Sequence, residues 1–479
     1  MPEPIAGEFV NFVLDGQQRL TSLFASLKGL PIEREGGRIE DYSNMFIDLN
    51  AKEDEQIVIL DLHDKEEKTY IKITDLLYGG LTFLASFPEK HLKLLEEYKK
   101  RIESYLFSTI LIKEVSLDIA TEVFTRINVG GKPLSLFEIM VAKTFDYERN
   151  FDLSLKFKEL VEDLRPFNYE TISDATVLQC VSIILSGECN KKAILKLQKE
   201  QFIDIWDDVI DAIENTVEYF KNFYRIPVSQ LLPYNALIVP FTYFFYHHKI
   251  KPTGNKQKYL QDYFWRCSLS GRFSSSVETK LSQDIKRIDL ILKDELPRYE
   301  WAVDLSKEFI QKNGWFSAGR SYIKSILCIY AYQEPKSFND ASIVNISNYW
   351  LKQANSKNYH HFFPRAYLKK QKVEEGFINH IANITIVDDF LNKREIGAKS
   401  PSSYMRKFIR QNENINETMK THLIADIEKF GILDNDYDKF FNQRLTAISK
   451  ELKKRIIEQE TDKMYQVEDI QDYTDEIDE

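Results

Sequence analysis

Two adjacent histidines, His360 and His361, precede Pro364 in the stretch NYHHFFPRAYLKK. Asn383 then opens the apolar run ITIV, and Asn392 follows nine residues after it. Imidazole can take up a proton near neutral pH, and an amide oxygen suits a hard cation such as Mg²⁺. These residue types could therefore support metal-dependent phosphodiester hydrolysis, with one histidine as the base, the other as a metal ligand, and Asn392 as an oxygen ligand.

A less specific interpretation is that the histidine pair is an ordinary surface or helix feature. A second pair, His247 and His248, lies in a helical pattern with no proline or asparagine at matching distance, and we predict no function for it. Neighbours on a strand also point to opposite faces, so His360 and His361 can serve one site only where a strand ends or kinks. Pro364 favours such an ending.

The order of elements around the pair is strand, loop, strand, helix, and there the segment resembles the HNH (ββα-metal) endonucleases. HHFFP matches the D/H-H-x-x-P element of that family, and the two later asparagines match its spacing. The resemblance implies that His361 is the general base, and that His360 and Asn392 are metal ligands. Asn383, counted with the catalytic residues, would tie the loop together. Asp is common where His360 stands, so the metal is left open between Mg²⁺ and Mn²⁺.

A second candidate site lies near the start, in FVNFVLDGQQRLTSLF, residues 9–24. The pattern predicts a strand over residues 8–14 and a helix over residues 17–28. Gly16 permits close backbone approach, and the free N–H groups of a first helical turn attract anions. Arg19 adds a planar cation suited to phosphate. The alternative is that Asp15 merely caps the helix.

A related element, FTRINVGGKPLSLFEI, follows at residues 124–139, and Ser135 and Glu138 are spaced there as a capping box. By itself it is typical of a helix–turn–helix joint with Arg126 on the surface. With DGQQRLTSL, however, it resembles the paired signatures of the GmrSD restriction-protein N-terminal domain, which has a ParB/sulfiredoxin-like fold. WRCSLSGRFSSSVETKLSQDI resembles a later segment of such proteins.

The GmrSD resemblance implies a nucleotide-binding and hydrolysing sensor coupled to a module that cuts foreign, usually modified, DNA. The residues carried over as the nucleotide or phosphate site are Asp15, Gly16, Gln17, Gln18 and Arg19, with Arg126 and Asn128 as partners. Family members carry a Tyr/Arg-rich element ahead of this loop. The fourteen residues before Asp15 do not contain it, so we expect the chain to begin partway through its own first site.

Composition is that of a globular protein, with 43% hydrophobic and 13% aromatic residues among 479. No apolar run approaches the roughly 18 residues of a membrane span, and no secretory signal is visible. The four cysteines are scattered without a CxxC pair, so a reducing cytoplasm is the expected compartment.

Net charge is −10, which argues against a nucleic-acid partner, but its distribution argues otherwise. Residues 458–479 carry ten Asp/Glu against one Lys and are predicted to form an acidic tail. Residues 352–410 hold twelve Lys/Arg against five Asp/Glu, an excess that could contact the phosphates of DNA. An ordinary solvated face is the alternative interpretation of that excess.

These patterns predict a predominantly helical α+β protein. We place a GmrSD-like domain at residues 1–150, a helical domain at 151–340, an HNH-like domain at 341–457 and the tail after it. The predicted function is an HNH endonuclease in phage defence, using Mg²⁺ or Mn²⁺ and a nucleoside triphosphate. The alternative is a nucleotide-gated DNA-binding regulator in which the HNH-like segment is structural. No membrane partner is expected, and a homo-oligomer is left open.

Overall fold

A computed structural model of the chain describes most of its residues and divides it into two compact units, residues 1–133 and 134–479. The described residues are 13, 16–33, 39–52, 55–63, 65–109, 134–346, 359–387 and 395–464. Several predicted features lie outside them: Asp15, Arg126, Asn128, Asn392, nearly all of the strand at 8–14, and residues 465–479 of the acidic tail.

The first unit begins with the predicted helix, which is confirmed as α1, Gln17–Lys28. Gly16 precedes it with φ of 80° and Gly29 follows it with φ of 65°, both left-handed conformations that favour glycine. Gly16 has no side chain to cap the helix, and its carbonyl accepts the first helical hydrogen bond from Leu20 N–H at 2.8 Å.

Short antiparallel strands follow α1. The strands are β1 (Pro31–Glu33), β2 (Ile39–Asp41), β3 (Phe46–Asp48), β4 (Val58–Ile59) and β5 (Tyr70–Lys72). β1 pairs with β2, and β3 lies between β4 and β5. The helices α2 (Ile73–Tyr78), α3 (Gly80–Leu84) and α4 (Glu89–Glu103) complete the described part of this unit. Its core includes Ile47, Ile71, Leu76 and Leu95, and the ParB-like fold stays a prediction.

The second unit is mainly helical. Its helices are α5 (Leu136–Thr144), α6 (Leu153–Leu164), α7 (Asp174–Ser186), α8 (Lys191–Lys196), α9 (Lys199–Asn222), α10 (Ile238–His247), α11 (Gly254–Leu269), α12 (Val277–Leu292), α13 (Lys307–Asn313), α14 (Ser321–Tyr332), α15 (Arg365–Lys370), α16 (Glu375–Ile378), α17 (Pro401–Gln411), α18 (Ile415–Lys420), α19 (Tyr437–Lys453) and α20 (Glu460–Met464). The predicted capping box is confirmed at the start of α5, where Glu138 N–H donates to Ser135 Oγ at 3.1 Å.

One hydrophobic core runs through the second unit from Met140 to Leu452. Because this core includes residues on both sides of position 340, a boundary there stays a prediction. The predominantly helical α+β class is confirmed by the abundance of helices and the small size of the sheets. None of the described helices combines the length and the apolar character that a membrane crossing requires.

The histidine pair lies on a two-stranded sheet in this unit. Strand β6, Tyr359–His361, pairs antiparallel with β7, Ile384–Ile386, so that His360 is opposite Thr385 and His361 is opposite Ile384. A 3₁₀ turn over Ile381–Asn383 leads into β7. Strands are therefore present at both predicted places, but the segment between them contains the helices α15 and α16 and is not a simple loop. Residues 388–394, where the following helix was predicted, lie outside the described part.

Candidate functional site

The loop after β6 is fastened by the side chain of Asn383, which is fully buried. Its Oδ1 accepts the Phe363 N–H at 2.9 Å, and its Nδ2 donates to the carbonyls of Phe363 at 3.0 Å and Ile378 at 3.1 Å. These bonds use both N–H donors of the amide and one of the two lone pairs on its oxygen. The Asn383 side chain thus holds the bend after β6, and a catalytic role for this residue stays a prediction.

His361 is the last residue of β6, and the chain bends directly after it. Its Nε2 lies 3.0 Å from Asn379 Oδ1, while Asn379 Nδ2 donates to the Phe316 carbonyl at 3.0 Å. A carbonyl only accepts, so the Asn379 amide must turn its nitrogen to Phe316 and its oxygen to His361. His361 Nε2 is therefore the protonated nitrogen, and Nδ1 carries the lone pair.

Burial favours the neutral form of His361. Desolvation lowers the pKa of this imidazole, and the hydrogen bond to Asn379 partly opposes that shift. Arg365 and Glu375 act on the same ring in opposite directions and also pair with each other. A neutral ring with Nδ1 unprotonated is the form in which histidine can accept a proton from water.

His360 is more deeply placed, with 2% of its surface exposed. Burial lowers its pKa to about 3, so the imidazole is neutral near pH 7, as a metal ligand must be. The Thr385 hydroxyl lies 3.4 Å from Nδ1 and 3.3 Å from the His360 carbonyl oxygen. If the hydroxyl donates to the carbonyl and Nδ1–H donates to the hydroxyl, Nε2 keeps its lone pair for a metal.

The two histidines do not share a described partner. His360 faces the rings of Phe338 and Tyr404, at centroid distances of 6.5 and 6.3 Å, whereas His361 faces Asn379. This divergence follows from the alternation of side chains along a strand. Among the described residues no group of three or more His, Cys, Asp or Glu side chains forms a metal cluster. His360 fits a nitrogen ligand, and Asn392, its predicted companion, lies outside the described part.

A buried arginine supports the start of β7 through hydrogen bonds. Arg444 of α19 is fully buried, and its guanidinium donates to the carbonyls of Ala382 at 3.1 Å, Ile384 at 2.8 Å, and His422. Its charge also lies over the Tyr330 ring, 4.7 Å from the centroid. Because the Ala382 and Ile384 carbonyls lie on either side of Asn383, Arg444 fixes the entry into β7.

The predicted basic excess around the hairpin is partly neutralised. Glu375 pairs with Arg365 and, at 3.3 Å, with Lys369, and Glu395 pairs with Lys407. These side chains remain between a quarter and nearly three-fifths exposed, so solvent screens the pairs. The face can still present positive charge to a phosphate backbone.

At the other candidate site, α1 begins without a side-chain cap from Gly16. The guanidinium of Arg19 reaches back over this turn, with one nitrogen 3.5 Å from where a Cβ on Gly16 would lie. Gln18 and Arg19 are exposed, and Gln17 opens the helix. The described half of the predicted loop thus brings a cation to a helix N-terminus, a combination that suits an anion.

The arginines of WRCSLSGRFSSSVETKLSQDI have internal partners. Arg266 is fully buried against Asp262 at 3.1 Å and Asp462 at 2.7 Å. Arg272 bonds to Asp284 at 2.8 Å. Asp462 belongs to α20, so Arg266 fastens the beginning of the C-terminal segment to α11, whereas Arg272 joins the end of α11 to α12.

Some contributors could not be found from sequence motifs. The hairpin is supported by Asn379, Phe316 and Arg444. These three residues lie 18 to 83 positions from His361 in the sequence, and no known motif spacing links them to it. The same holds for His380, whose ring is buried and bonds to the Ile310 and Gln311 carbonyls at 3.2 Å. The one local feature that could have pointed to Asn379 and His380 is their position as an adjacent polar pair just ahead of the ITIV run.

The region around α1 matches a known protein family. Residues 5–145 match the family described as the GmrSD restriction endonuclease, N-terminal domain. The N-terminal part of the chain is similar to GmrSD proteins. The matched range contains Gly16, Arg19 and the sequence element at residues 124–139, and it supports a GmrSD-type protein. The C-terminal hairpin lies outside the matched residues, so the HNH assignment rests on the motif and its geometry.

An uncharacterized protein of Methanocaldococcus jannaschii is similar over nearly the whole length of the chain. The two are 24% identical over 517 aligned positions, which cover 93% of this chain and 84% of that protein. The similarity extends through the helical part and the hairpin as well as through the GmrSD-type domain. The description of that protein names no activity.

Proposed function

We propose that this protein is a metal-dependent nuclease of the HNH type, which cuts foreign and chemically modified DNA in defence against phage. The match of residues 5–145 to a restriction endonuclease domain supports a nuclease with DNA as its substrate. The neutral His361 at the end of β6, with its tautomer set by Asn379, is the observation that carries the HNH assignment.

In this proposal His361 removes the proton from the attacking water through Nδ1. Asn379 keeps the ring in place and holds the proton on Nε2, so the accepting nitrogen stays available during the reaction. Asn383 and Arg444 hold the loop and strand that carry the histidine. These residues thereby supply the base and its orientation.

His360, with Asn392, would hold the divalent cation, Mg²⁺ or Mn²⁺. When bound, such a cation neutralises charge on the phosphate and on the leaving oxygen. The buried, neutral imidazole of His360 suits this role, and Thr385 can fix its tautomer. The exposed cations near the hairpin would draw the phosphate backbone towards it.

We further propose that Asp15, Gly16, Gln17, Gln18 and Arg19, together with Arg126 and Asn128, bind and hydrolyse a nucleoside triphosphate. The N-terminus of α1, where Gly16 itself offers no side-chain cap, and the position of Arg19 near this turn support an anion site there. Titration calorimetry with GTP, CTP and ATP tests this part. Arg19→Ala should weaken binding, whereas Lys28→Ala, at the other end of the same helix, should not.

The nuclease assignment is tested by nicking of plasmid DNA with Mg²⁺ or Mn²⁺, with and without a nucleotide. His361→Ala should abolish nicking, and His360→Ala should raise the metal concentration that nicking requires. His247→Ala is the matched control, because it removes one histidine of the other adjacent pair, at the end of α10. A parallel assay on RNA of the same sequence compares the two substrates.

Cleavage that survives His361→Ala would contradict the base assignment. Nucleotide binding by a wild-type protein that cuts neither DNA nor RNA would instead support the alternative of a nucleotide-gated DNA-binding regulator. Equal loss of activity in His247→Ala would show that the effect comes from folding rather than from the site.

A further inference from the structure

A cavity of about 490 Å³ lies beside the hairpin. One wall comes from α13 and the turn after it, with Gln311 and Trp315, and the other comes from α16, with Gly376 and Phe377. The volume lies within the range of about 300–1,000 Å³ that small-molecule sites usually have. A flat group of one or two rings can therefore be accommodated.

Two aromatic side chains at this cavity are partly open to solvent. Trp315 is 44% exposed and Phe377 is 37% exposed. The Phe377 ring and the Trp315 backbone are nevertheless held in place. The Phe377 ring packs edge-on against Phe441, with centroids 5.5 Å apart, and the Trp315 backbone pairs with His380. Positioned aromatic faces next to a cavity favour stacking with a planar ligand, because little side-chain freedom is lost on binding.

The residues that form the cavity walls are close in sequence to the residues that orient His361, the proposed base. Phe316 directly follows Trp315, and Asn379 stands two residues after Phe377. Phe316 and Asn379 are joined by two hydrogen bonds of 3.0 Å, from Phe316 N–H to the Asn379 carbonyl and from Asn379 Nδ2 to the Phe316 carbonyl. Asn379 in turn holds His361. A ligand in the cavity would thus contact the same backbone segments that orient the proposed base.

We propose that this cavity binds an unstacked nucleobase of the nucleic acid whose backbone is cut at His361. The inference rests on the proposed nuclease function and names a subsite for it. Trp315 and Phe377 would stack against the base, as aromatic side chains do with splayed-out bases. The Gln311 amide and the Glu308 carboxylate, also at the cavity, would meet its polar edge.

Binding can be measured without cleavage, using the full chain in EDTA. The probe is a short strand of abasic spacers that carries a single 2-aminopurine, compared with the same strand without any base. Fluorescence anisotropy gives the affinity, and quenching of 2-aminopurine reports stacking. The wild type should bind the strand with the base about 5- to 150-fold more tightly, and Trp315→Ala should remove this preference together with the quenching.

A second variant protects the test against misfolding. Gly376 lines the cavity, and a Cβ added there meets no heavy atom within 4 Å, so Gly376→Leu should fold and fill the space. It too should lose the preference for the base. Gly319→Leu, at another open glycine, and Tyr147→Ala, which removes an 87% exposed aromatic of the same unit, are the controls and should keep the preference.

Equal affinity of the wild type for both strands would overturn the proposal, as would an unchanged preference in both Trp315→Ala and Gly376→Leu. Failure of the nuclease assignment is distinguishable from this result. If plasmid nicking is absent but base-dependent binding is present, the cavity assignment stands and the nuclease assignment falls. If His361-dependent nicking occurs without any preference for a base, only the cavity assignment falls.

Discussion

Asn379 accepts the Nε2 proton of His361 over 3.0 Å and thereby decides which nitrogen of that ring can act as a base. The direction of the bond follows from the second contact of the amide, in which Nδ2 donates to the Phe316 carbonyl. An orienting partner of this kind typically contributes a factor of about 10 to 100 to the function of the residue that it holds.

We therefore expect Asn379→Ala to lower kcat for metal-dependent nicking by about 10- to 100-fold. Asn379→Asp should raise the pKa of His361, because a carboxylate stabilises the imidazolium. Since the base must be unprotonated, the rise of rate with pH should then move to higher pH. Rate profiles over pH for the three proteins check this. A profile for Asn379→Asp that coincides with wild type would contradict the assigned contact.

Arg444 should matter for stability, since its guanidinium satisfies three backbone carbonyls that are buried around the hairpin. Arg444→Leu should lower the free energy of unfolding by about 2–4 kcal/mol, because unpaired buried carbonyls cost more than the hydrophobic side chain restores. Arg444→Lys should also destabilise, since an ammonium lacks the planar fork. Urea unfolding measures both effects.

The control for Arg444 is Arg165→Ala. The Arg165 side chain is 60% exposed and pairs with Glu162 at 2.7 Å on the surface. Such pairs contribute little, so the change should stay within about 0.5 kcal/mol. Similar losses in Arg444→Leu and Arg165→Ala would refute the bracing role.

We expect stability to require glycine at position 314, because the end of α13 lies close to the His380 ring there. A Cβ at this position would lie 2.2 Å from His380 Nε2 and 2.5 Å from the Ile310 carbonyl oxygen. Gly314→Ala should therefore destabilise the protein by about 1–3 kcal/mol, the usual cost of overpacking. Gly319→Ala, which meets nothing within 4 Å, serves as the control in thermal unfolding. Equal melting temperatures for the two variants would count against this close contact.

Stability should fall in mild acid because of buried histidines. Burial lowers the pKa of both His380 and His422 to about 4, below the ordinary value of 6.5. The unfolded chain then binds more protons than the folded chain between these values. Each buried neutral ring therefore contributes fully to the free energy of unfolding above pH 6.5. This contribution, about 3 kcal/mol per histidine, is lost as the pH falls towards 4.

The contribution of His422 to this pH dependence can be isolated with His422→Gln. In the wild type His422 Nε2 lies 2.7 Å from the Lys336 carbonyl, and the glutamine amide can still donate to that carbonyl. Urea unfolding at a series of pH values should give a shallower decline between pH 6.5 and 4 for this variant. Parallel declines for wild type and variant would mean that His422 is not buried in neutral form.

Local patterns predicted the parts of the fold that depend on neighbouring residues. The helix at residues 17–28 and the capping box of Ser135 and Glu138 were found at the predicted positions, because each is decided by residues within a turn or two. The apolar run ITIV was likewise found as β7, but its pairing with β6 depended on the tertiary structure, because residues 362–383 and two helices lie between the strands. The function of His360 and His361 stays a prediction that nicking assays must test.

The sequence by itself determined the types and spacing of the histidines and asparagines, and with them the class of chemistry that is open to this protein. Only the tertiary structure decided which groups orient them. Phe316 and Arg444 reach the hairpin from positions 45 residues before and 83 residues after His361, because helices far apart in the chain share one core. Such contacts depend on how the helices pack, and no local pattern of residues encodes that packing.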